Sequence, residues 1–260
     1  MVIFFDIDGT LVDEQTQILP QSAADAIVAL ANAGHVPVVN TGRPYSHIDP
    51  RVRALPFAGF ICAGGQQVRL REQWLKYETV PADWMPAIIE AVRQNDLQVV
   101  YEAEGGFYLD GPYSDKHPEI HLQSRLIQEI GCYVRDIADG IDHSVVKFCT
   151  FDIPTSNRAA FIQAMEPWFT AIDRRGMAEF LVKGNSKAAG LQLVLDALGC
   201  AREDTMAFGD SANDLPMLEA VGTAVCMGNG VEQAKNAAHF VTKTVLEDGI
   251  SYALKHYHII

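Results

Sequence analysis

Basic residues are scarce in this chain. Its 20 Lys and Arg stand against 33 Asp and Glu, a formal net charge of −13 over 260 residues. Nucleic-acid binding needs clustered Lys and Arg to neutralise phosphates, and no such run occurs; Arg69 and Arg71 are too few. The same deficit argues against attachment to anionic lipid. Long apolar runs are missing too, and no stretch approaches the roughly 20 residues of a membrane-spanning helix. The opening Met1-Val2-Ile3-Phe4-Phe5-Asp6 lacks the basic and apolar regions of a signal peptide. Cysteine is sparse: Cys62, Cys132, Cys149, Cys200 and Cys226 are odd in number, widely spaced and without a C-x-x-C pair. That excludes an obvious disulfide framework or zinc knuckle and leaves reduced thiols in a cytoplasmic protein as the expectation. No G-x-G-x-x-G loop follows the first apolar run, so dinucleotide binding has little support.

What is present is an ordinary globular composition, with 48% hydrophobic and 20% charged residues. Val2–Phe5, Val36–Val39 and Phe60–Cys62 read as buried strands, and Pro20–Ala33 between the first two reads as a helix capped by Ser22. The C-terminal part repeats this rhythm: helix Lys187–Leu198, strand Thr205–Phe208, helix Leu215–Ala220, strand Ala224–Met227, helix Val231–Ala237, strand His239–Val241 and helix Asp248–Lys255. Strand–helix alternation predicts a parallel α/β sheet. The middle differs. Gln98–Ala103 and Gly106–Leu109 form a hairpin pattern, mixed with helices at Trp84–Arg93, Glu119–Ile130 and Asn157–Phe169 and strands at Val145–Phe151 and Ala178–Val182. The expected architecture is a Rossmann-like α/β core from 1–79 and 184–260, with an α+β domain at 80–183 inserted between its halves.

Four short motifs carry chemistry, each beside a strand end or a helix start. Asp6-Ile7-Asp8-Gly9-Thr10 places two carboxylates two residues apart in a glycine-containing loop, able to hold a divalent cation and face a phosphate. Alone it reads more readily as a turn with Asx hydrogen bonds. Thr41-Gly42-Arg43 offers a hydroxyl and a backbone N–H for phosphate oxygens. Lys187 opens a helix, where its charge opposes the dipole unless an anion sits there. Gly209-Asp210-Ser211-Ala212-Asn213-Asp214 follows another strand, where open α/β sheets bind ligands; helix capping is the plainer reading of its Asp and Asn.

Their order resembles the haloacid dehalogenase superfamily, and its Cof-type phosphatases of subclass IIB in particular. The resemblance runs through Phe4–Leu11, Asn40–Pro44, Ser186-Lys187, Phe208–Leu218, Met227-Gly228-Asn229-Gly230 and Glu247-Asp248-Gly249, nearly the whole core. Ala63-Gly64-Gly65-Gln66 departs from it, standing where the family usually has Asn-Gly-Ala, which leaves the role of Gly64, Gln66 and Gln67 open. The resemblance implies a Mg²⁺-dependent phosphatase with an inserted cap domain, acting on small phosphorylated metabolites such as sugar phosphates. Asp6 would be the nucleophile forming an aspartyl-phosphate, and Asp8 the acid and base. Asp6, the Asp8 carbonyl and Asp210 would ligate Mg²⁺. Lys187, Thr41, Gly42, Asn213 and the Ile7 backbone would hold the phosphate, and Asp214 would orient Lys187 or the metal's waters. Arg43 and Tyr45 would face the substrate entrance, with Gly105–Tyr108 and the loop 111–116 as cap contacts.

The carboxylate at position 8 supports transfer to water or to a sugar hydroxyl, because the threonine of phosphoenzyme-keeping relatives is a poor base. A phosphomutase of the same superfamily is therefore the alternative, and a non-enzymatic receiver-like module the competing class. His117 and His121, four apart, lack a clear third ligand for zinc. Trp74, Trp84 and Trp168 are expected in the core or at a domain interface, and a monomer is the expected state.

Overall fold

A computed structural model describes residues 1–142, 144–174 and 176–260. The strands among them are β1 (Val2–Phe5), β2 (Val36–Asn40), β3 (Gly59–Cys62), β4 (Gln67–Leu70), β5 (Gln73–Tyr77), β6 (Gln98–Ala103), β7 (Gly106–Leu109), β8 (Tyr133–Asp136), β9 (Val145–Phe151), β10 (Phe169–Arg174), β11 (Met177–Val182), β12 (Thr205–Gly209), β13 (Thr223–Cys226) and β14 (Phe240–Val241). Two compact units divide them. One holds Met1–Gly42, Asp49–Lys76 and Ser186–Ile260; the other holds Arg43–Ile48 and Tyr77–Asn185.

The first unit is built on a sheet ordered β14-β13-β12-β1-β2-β3-β4-β5. β1 pairs in parallel with β2 on one side and β12 on the other. All four residues of β1 are buried, which explains its uninterrupted apolar run: both faces are covered. Val2 and Phe4 pack with Leu191 and Val194 of the helix Lys187–Leu198, while Phe5 stacks on Phe208 at 4.9 Å. Because the chain leaves β1 toward β2 and returns beside it as β12, the carboxyl end of β1 is a switch point, where a crevice opens in α/β sheets.

The second unit carries a sheet ordered β10-β11-β9-β6-β7-β8, antiparallel in its pairings except between β7 and β8. Phe148 and Phe180 stack at 4.8 Å within its core, and Phe161 meets Phe180 edge-on.

Local departures from the sequence reading have physical causes. The helix Gln21–Asn32 has no side-chain cap; Ser22 lies inside it and donates instead to Asp248 Oδ1 at 2.5 Å. The helix expected over Asn157–Phe169 spans Arg158–Met165, and Phe169 opens β10. Pro167 lacks the N–H that a longer helix would need. Trp84 and Trp168 stack at 5.4 Å beside that core, whereas Trp74 is 40% exposed on β5, with the Arg69 guanidinium 5.9 Å from its ring. His117 caps the helix Pro118–Glu129 by accepting from the Glu119 N–H, and His121 is exposed.

Candidate active site

The loop after β1 folds back sharply on itself. Ile7 carbonyl accepts from the N–H groups of Thr10, Leu11 and Val12, and Gly9 N–H donates to Val12 O at 2.8 Å. Gly9 has φ +77°, and a Cβ there would lie 2.7 Å from Asp210 Cγ. Glycine therefore meets two demands at once, a left-handed turn and the close approach of a carboxylate. Thr10 Oγ1 donates to Asp210 Oδ1 at 2.9 Å, joining residues 200 apart in sequence. Asn229 braces the same turn: its Nδ2 donates to Gly9 O at 2.7 Å while its Oδ1 accepts from Val245 N–H.

Lys187 reaches this loop from the start of its helix, where Ser186 caps by accepting from Ala189 N–H. Its Nζ donates to Asp6 Oδ1 at 2.6 Å and to Asp214 Oδ1 at 2.5 Å, with all three residues buried. These two carboxylates are the anions that the unfavourably placed helix-terminal cation requires. Asp214 Oδ2 accepts from the Asp210 and Ser211 N–H groups at 2.9 Å each, closing a capping box with Ser211. Asn40 Nδ2 donates to Lys187 O at 3.0 Å, so the end of β2 also fixes the lysine.

Carboxylate oxygens of Asp6, Asp210 and Asp214 lie within 4.8 Å of one another. Burial, then Asp214, pushes the Asp6 carboxyl well above its usual range; Lys187 opposes this, and Asp210 and Asp8 add to it. Burial, then Asp214, also pushes Asp210 up to about 7, against the Thr10 hydroxyl. Burial would lower the Lys187 ammonium, but Asp214 and Asp6 reverse that and hold it charged. Three buried carboxylates face one cation, so the cluster has excess negative charge. The donors are all oxygens, the set that hard divalent cations prefer. Since Asp214 is already engaged by Lys187 and two backbone N–H groups, Asp6 and Asp210 are the side chains suited to hold such a cation.

Thr41 is buried beside β3: its N–H donates to Ile61 O at 2.8 Å, and its carbonyl accepts from Gly64 N–H at 3.2 Å. The departure at Ala63-Gly64-Gly65 is a left-handed run with φ of +48°, +57° and +95°. A Cβ on Gly65 would lie 3.2 Å from the Ser186 carbonyl carbon, so this run packs against the N-terminus of the lysine helix. Gln66 and Gln67 follow it and are buried. Asn213 is partly buried, with its Oδ1 accepting from Ser211 Oγ, and Ile7 packs inward. Arg43 and Tyr45 are not grouped with the carboxylates; they belong to the second unit. Asp8 is partly buried at the turn, bridged to Val12. Thr10, Asn40 and Asn229 were not singled out by role from the sequence, although each sits inside a quoted motif.

Residues 3–254 match the haloacid dehalogenase-like hydrolase family, and the chain belongs to it. It is a phosphatase of the Cof type. YkrA of Bacillus subtilis (strain 168), provisionally named a phosphatase, is 33% identical over 98% of this chain and 96% of its own length. The 5-amino-6-(5-phospho-D-ribitylamino)uracil phosphatase YitU of the same strain is 28% identical over 98% of this chain and 97% of its own. Among solved structures, the subclass IIB sugar phosphatase BT4131 superposes with a TM-score of 0.84 at 26% identity, covering 100% of this chain and 99% of that one. No helix among the described residues is long and apolar enough to cross a membrane.

Proposed function

We propose that the chain is a Mg²⁺-dependent phosphomonoesterase that hydrolyses a small phosphorylated metabolite, of the sugar-phosphate kind, through an aspartyl-phosphate on Asp6. The observation that carries this reading is the pairing of Lys187 with Asp6 inside a buried, carboxylate-rich cluster at the β1 switch point. Asp6 Oδ attacks phosphorus, the bond to the leaving oxygen breaks, and the Asp8 carboxyl gives that oxygen its proton. Asp8 then takes a proton from water as the water attacks phosphorus, the Asp6–phosphorus bond breaks, and inorganic phosphate leaves. Lys187, Thr41, Asn213 and the Ile7 and Gly42 N–H groups hold the phosphoryl oxygens, and Asp214 keeps Lys187 in place. Asp6, the Asp8 carbonyl and Asp210 would hold Mg²⁺, which when bound offsets the charge of the incoming phosphate. On this reading the inserted 80–183 domain is the cap that selects the leaving group, with Arg43 and Tyr45 facing the entrance. YitU, named for a phosphoribityl compound, and BT4131, a sugar phosphatase, support a phosphorylated polyol or sugar here. A cytoplasmic monomer completes the reading.

The test is inorganic phosphate release from a panel of phosphorylated sugars, nucleotides and cofactors, with Mg²⁺, with EDTA, and with Asp6→Asn. Release that requires both metal and Asp6 is expected. Release that persists without either would overturn the mechanism, and phosphate migrating within a sugar instead of appearing in solution would turn the reading to a mutase.

A further inference from the structure

Six residues from the N-terminal part of the chain fold with the second unit. Arg43–Ile48 begins one residue after Gly42, yet it groups with Tyr77–Asn185. His47 is the centre of this attachment. It is 2% exposed, its Nε2 lies 2.9 Å from Ala103 O, and its ring meets Phe107 edge-on at 5.3 Å. A carbonyl can only accept, so Nε2 carries the proton and donates it. Ser46 adds two bonds: its Oγ accepts from Gly105 N–H at 3.0 Å, and its carbonyl accepts from the Cys132 thiol at 3.5 Å. The His47 carbonyl in turn accepts from an Arg43 guanidinium N–H at 3.4 Å.

Behind His47 runs a line of buried charge. Its Nδ1 lies 3.6 Å from Glu102 Oε2; Lys147 Nζ lies 3.0 Å from Glu102 and 2.7 Å from Glu179. Burial would raise the Glu102 carboxyl, but Lys147 and His47 bring it down to about 2, so His47 faces a fixed carboxylate. These groups sit on neighbouring strands, Glu102 opposite Lys147 and Glu179 opposite Cys149. The His47 ring is therefore seated on strand β6, while Ser46 bonds Gly105 in the β6–β7 turn and Cys132 just before β8.

We infer that His47 is a positioning residue for the phosphatase reaction: by anchoring Arg43–Ile48 to the β6–β7 hairpin it sets the place of Arg43 and Tyr45 and restrains the adjoining Thr41-Gly42. The inference rests on the proposed role of Thr41-Gly42 in holding phosphate. No motif that links the chain to its family contains His47, Glu102 or Lys147.

The test uses the full chain with Mg²⁺, the best substrate from the panel, and inorganic phosphate as product inhibitor. His47→Phe keeps the ring against Phe107 but removes the donor to Ala103 O. KM and the phosphate inhibition constant should both rise roughly tenfold, the cost of one orphaned buried carbonyl, with a smaller change in kcat. His47→Gln, whose amide N–H reaches the same carbonyl, should restore both. Unchanged constants in an active His47→Phe enzyme would overturn the inference even if its thermal midpoint fell, because a purely structural residue moves only the latter. A His47→Gln enzyme as impaired as His47→Phe would overturn it as well. Should His47→Phe fail to fold, Ser46→Ala decides: it removes the acceptor of Gly105 N–H and should raise the same two constants severalfold. Unchanged constants there would be fatal to the idea. Thr41→Ala is the separate control, since an unaltered phosphate constant in that variant would show that the phosphate-holding role itself is wrong.

Discussion

Asp210→Asn probes the electrostatics of the cluster with little change in shape. The amide oxygen can still accept from Thr10 Oγ1, so the bond across the two loops survives. What disappears is a titrating charge whose folded-state value is about 7 against an ordinary 3.8. A carboxyl raised on folding keeps its proton longer in the native state than in the unfolded chain, so stability falls as pH rises from the unfolded value through the folded one. For this shift the loss is about 4 kcal/mol at pH 8 and about 2 kcal/mol at pH 5, relative to full protonation. In EDTA, Asp210→Asn should therefore gain roughly 2–3 kcal/mol on the parent chain between pH 5 and pH 8, a relative rise in thermal midpoint of about 5 °C. Urea or thermal denaturation at the two pH values measures it. Added Mg²⁺ should raise the parent's midpoint and leave that of the variant unmoved, because only binding to the native state stabilises. A stability gap that stays constant with pH, or a variant that is less stable at pH 8, would refute the claim that burial and the Asp214 charge raise the Asp210 carboxyl.

Other perturbations separate packing from charge. Lys187→Met leaves Asp6 and Asp214 facing each other without a cation and should cost about 3–5 kcal/mol at pH 8, read by denaturation in EDTA. Gly65→Ala puts a methyl against the Ser186 carbonyl at φ +95° and should destabilise by more than ~1 kcal/mol while also lowering activity, since the strained contact lies one residue from Lys187. Asn229→Ala removes both bonds that brace the Gly9 turn; kcat should fall about tenfold with a modest loss of stability, and a variant with unchanged kcat would show that the turn holds itself.

The parts of the fold legible in the sequence are those whose signals are local. Val2–Phe5 followed by Asp6 is a two-sided buried strand running into a loop, and the structure has it with those bounds. Lys187–Leu198 is flanked by a Ser186 cap and a left-handed Gly199, and its bounds were equally clear. The hairpin of β4 and β5 was not, because β5 is largely exposed at the sheet's edge, so no burial imposes alternation on its side chains. β8 was missed for a related reason: only its neighbours in β7 give Tyr133–Asp136 a strand's hydrogen bonds. The site shows the same division. Its motifs were visible as separate loops, but nothing local says that Lys187 Nζ bridges Asp6 and Asp214, or that Thr10 meets Asp210, since these contacts span 181, 27 and 200 residues. Arg43–Ile48 is the extreme case, a segment tied to its unit by a buried histidine meeting a carbonyl more than fifty residues away and by two bonds of Ser46.

The charge balance of the cluster explains why a lysine alone does not complete it. A nucleophilic Asp6 has to be ionised at neutral pH, yet burial and the carboxylates of Asp214, Asp210 and Asp8 all push its proton affinity up, with Lys187 the opposing charge. Lys187 is shared with Asp214, so one positive charge is divided between two carboxylates while Asp210 goes uncompensated by it at close range. A cation held by Asp6 and Asp210 would supply the missing charge and would lower both raised carboxyls together. On the proposed mechanism, metal and lysine are then additive contributors to one electrostatic requirement. Raising Mg²⁺ should recover part of the activity lost in a Lys187→Arg enzyme, which keeps a charge in a less compact form, but none of that lost in Asp210→Ala, which removes the oxygen donor altogether. Steady-state rates over a Mg²⁺ titration of both variants measure this, and equal recovery in the two would break the assignment of Asp210 as the metal-holding carboxylate and Lys187 as the counter-charge.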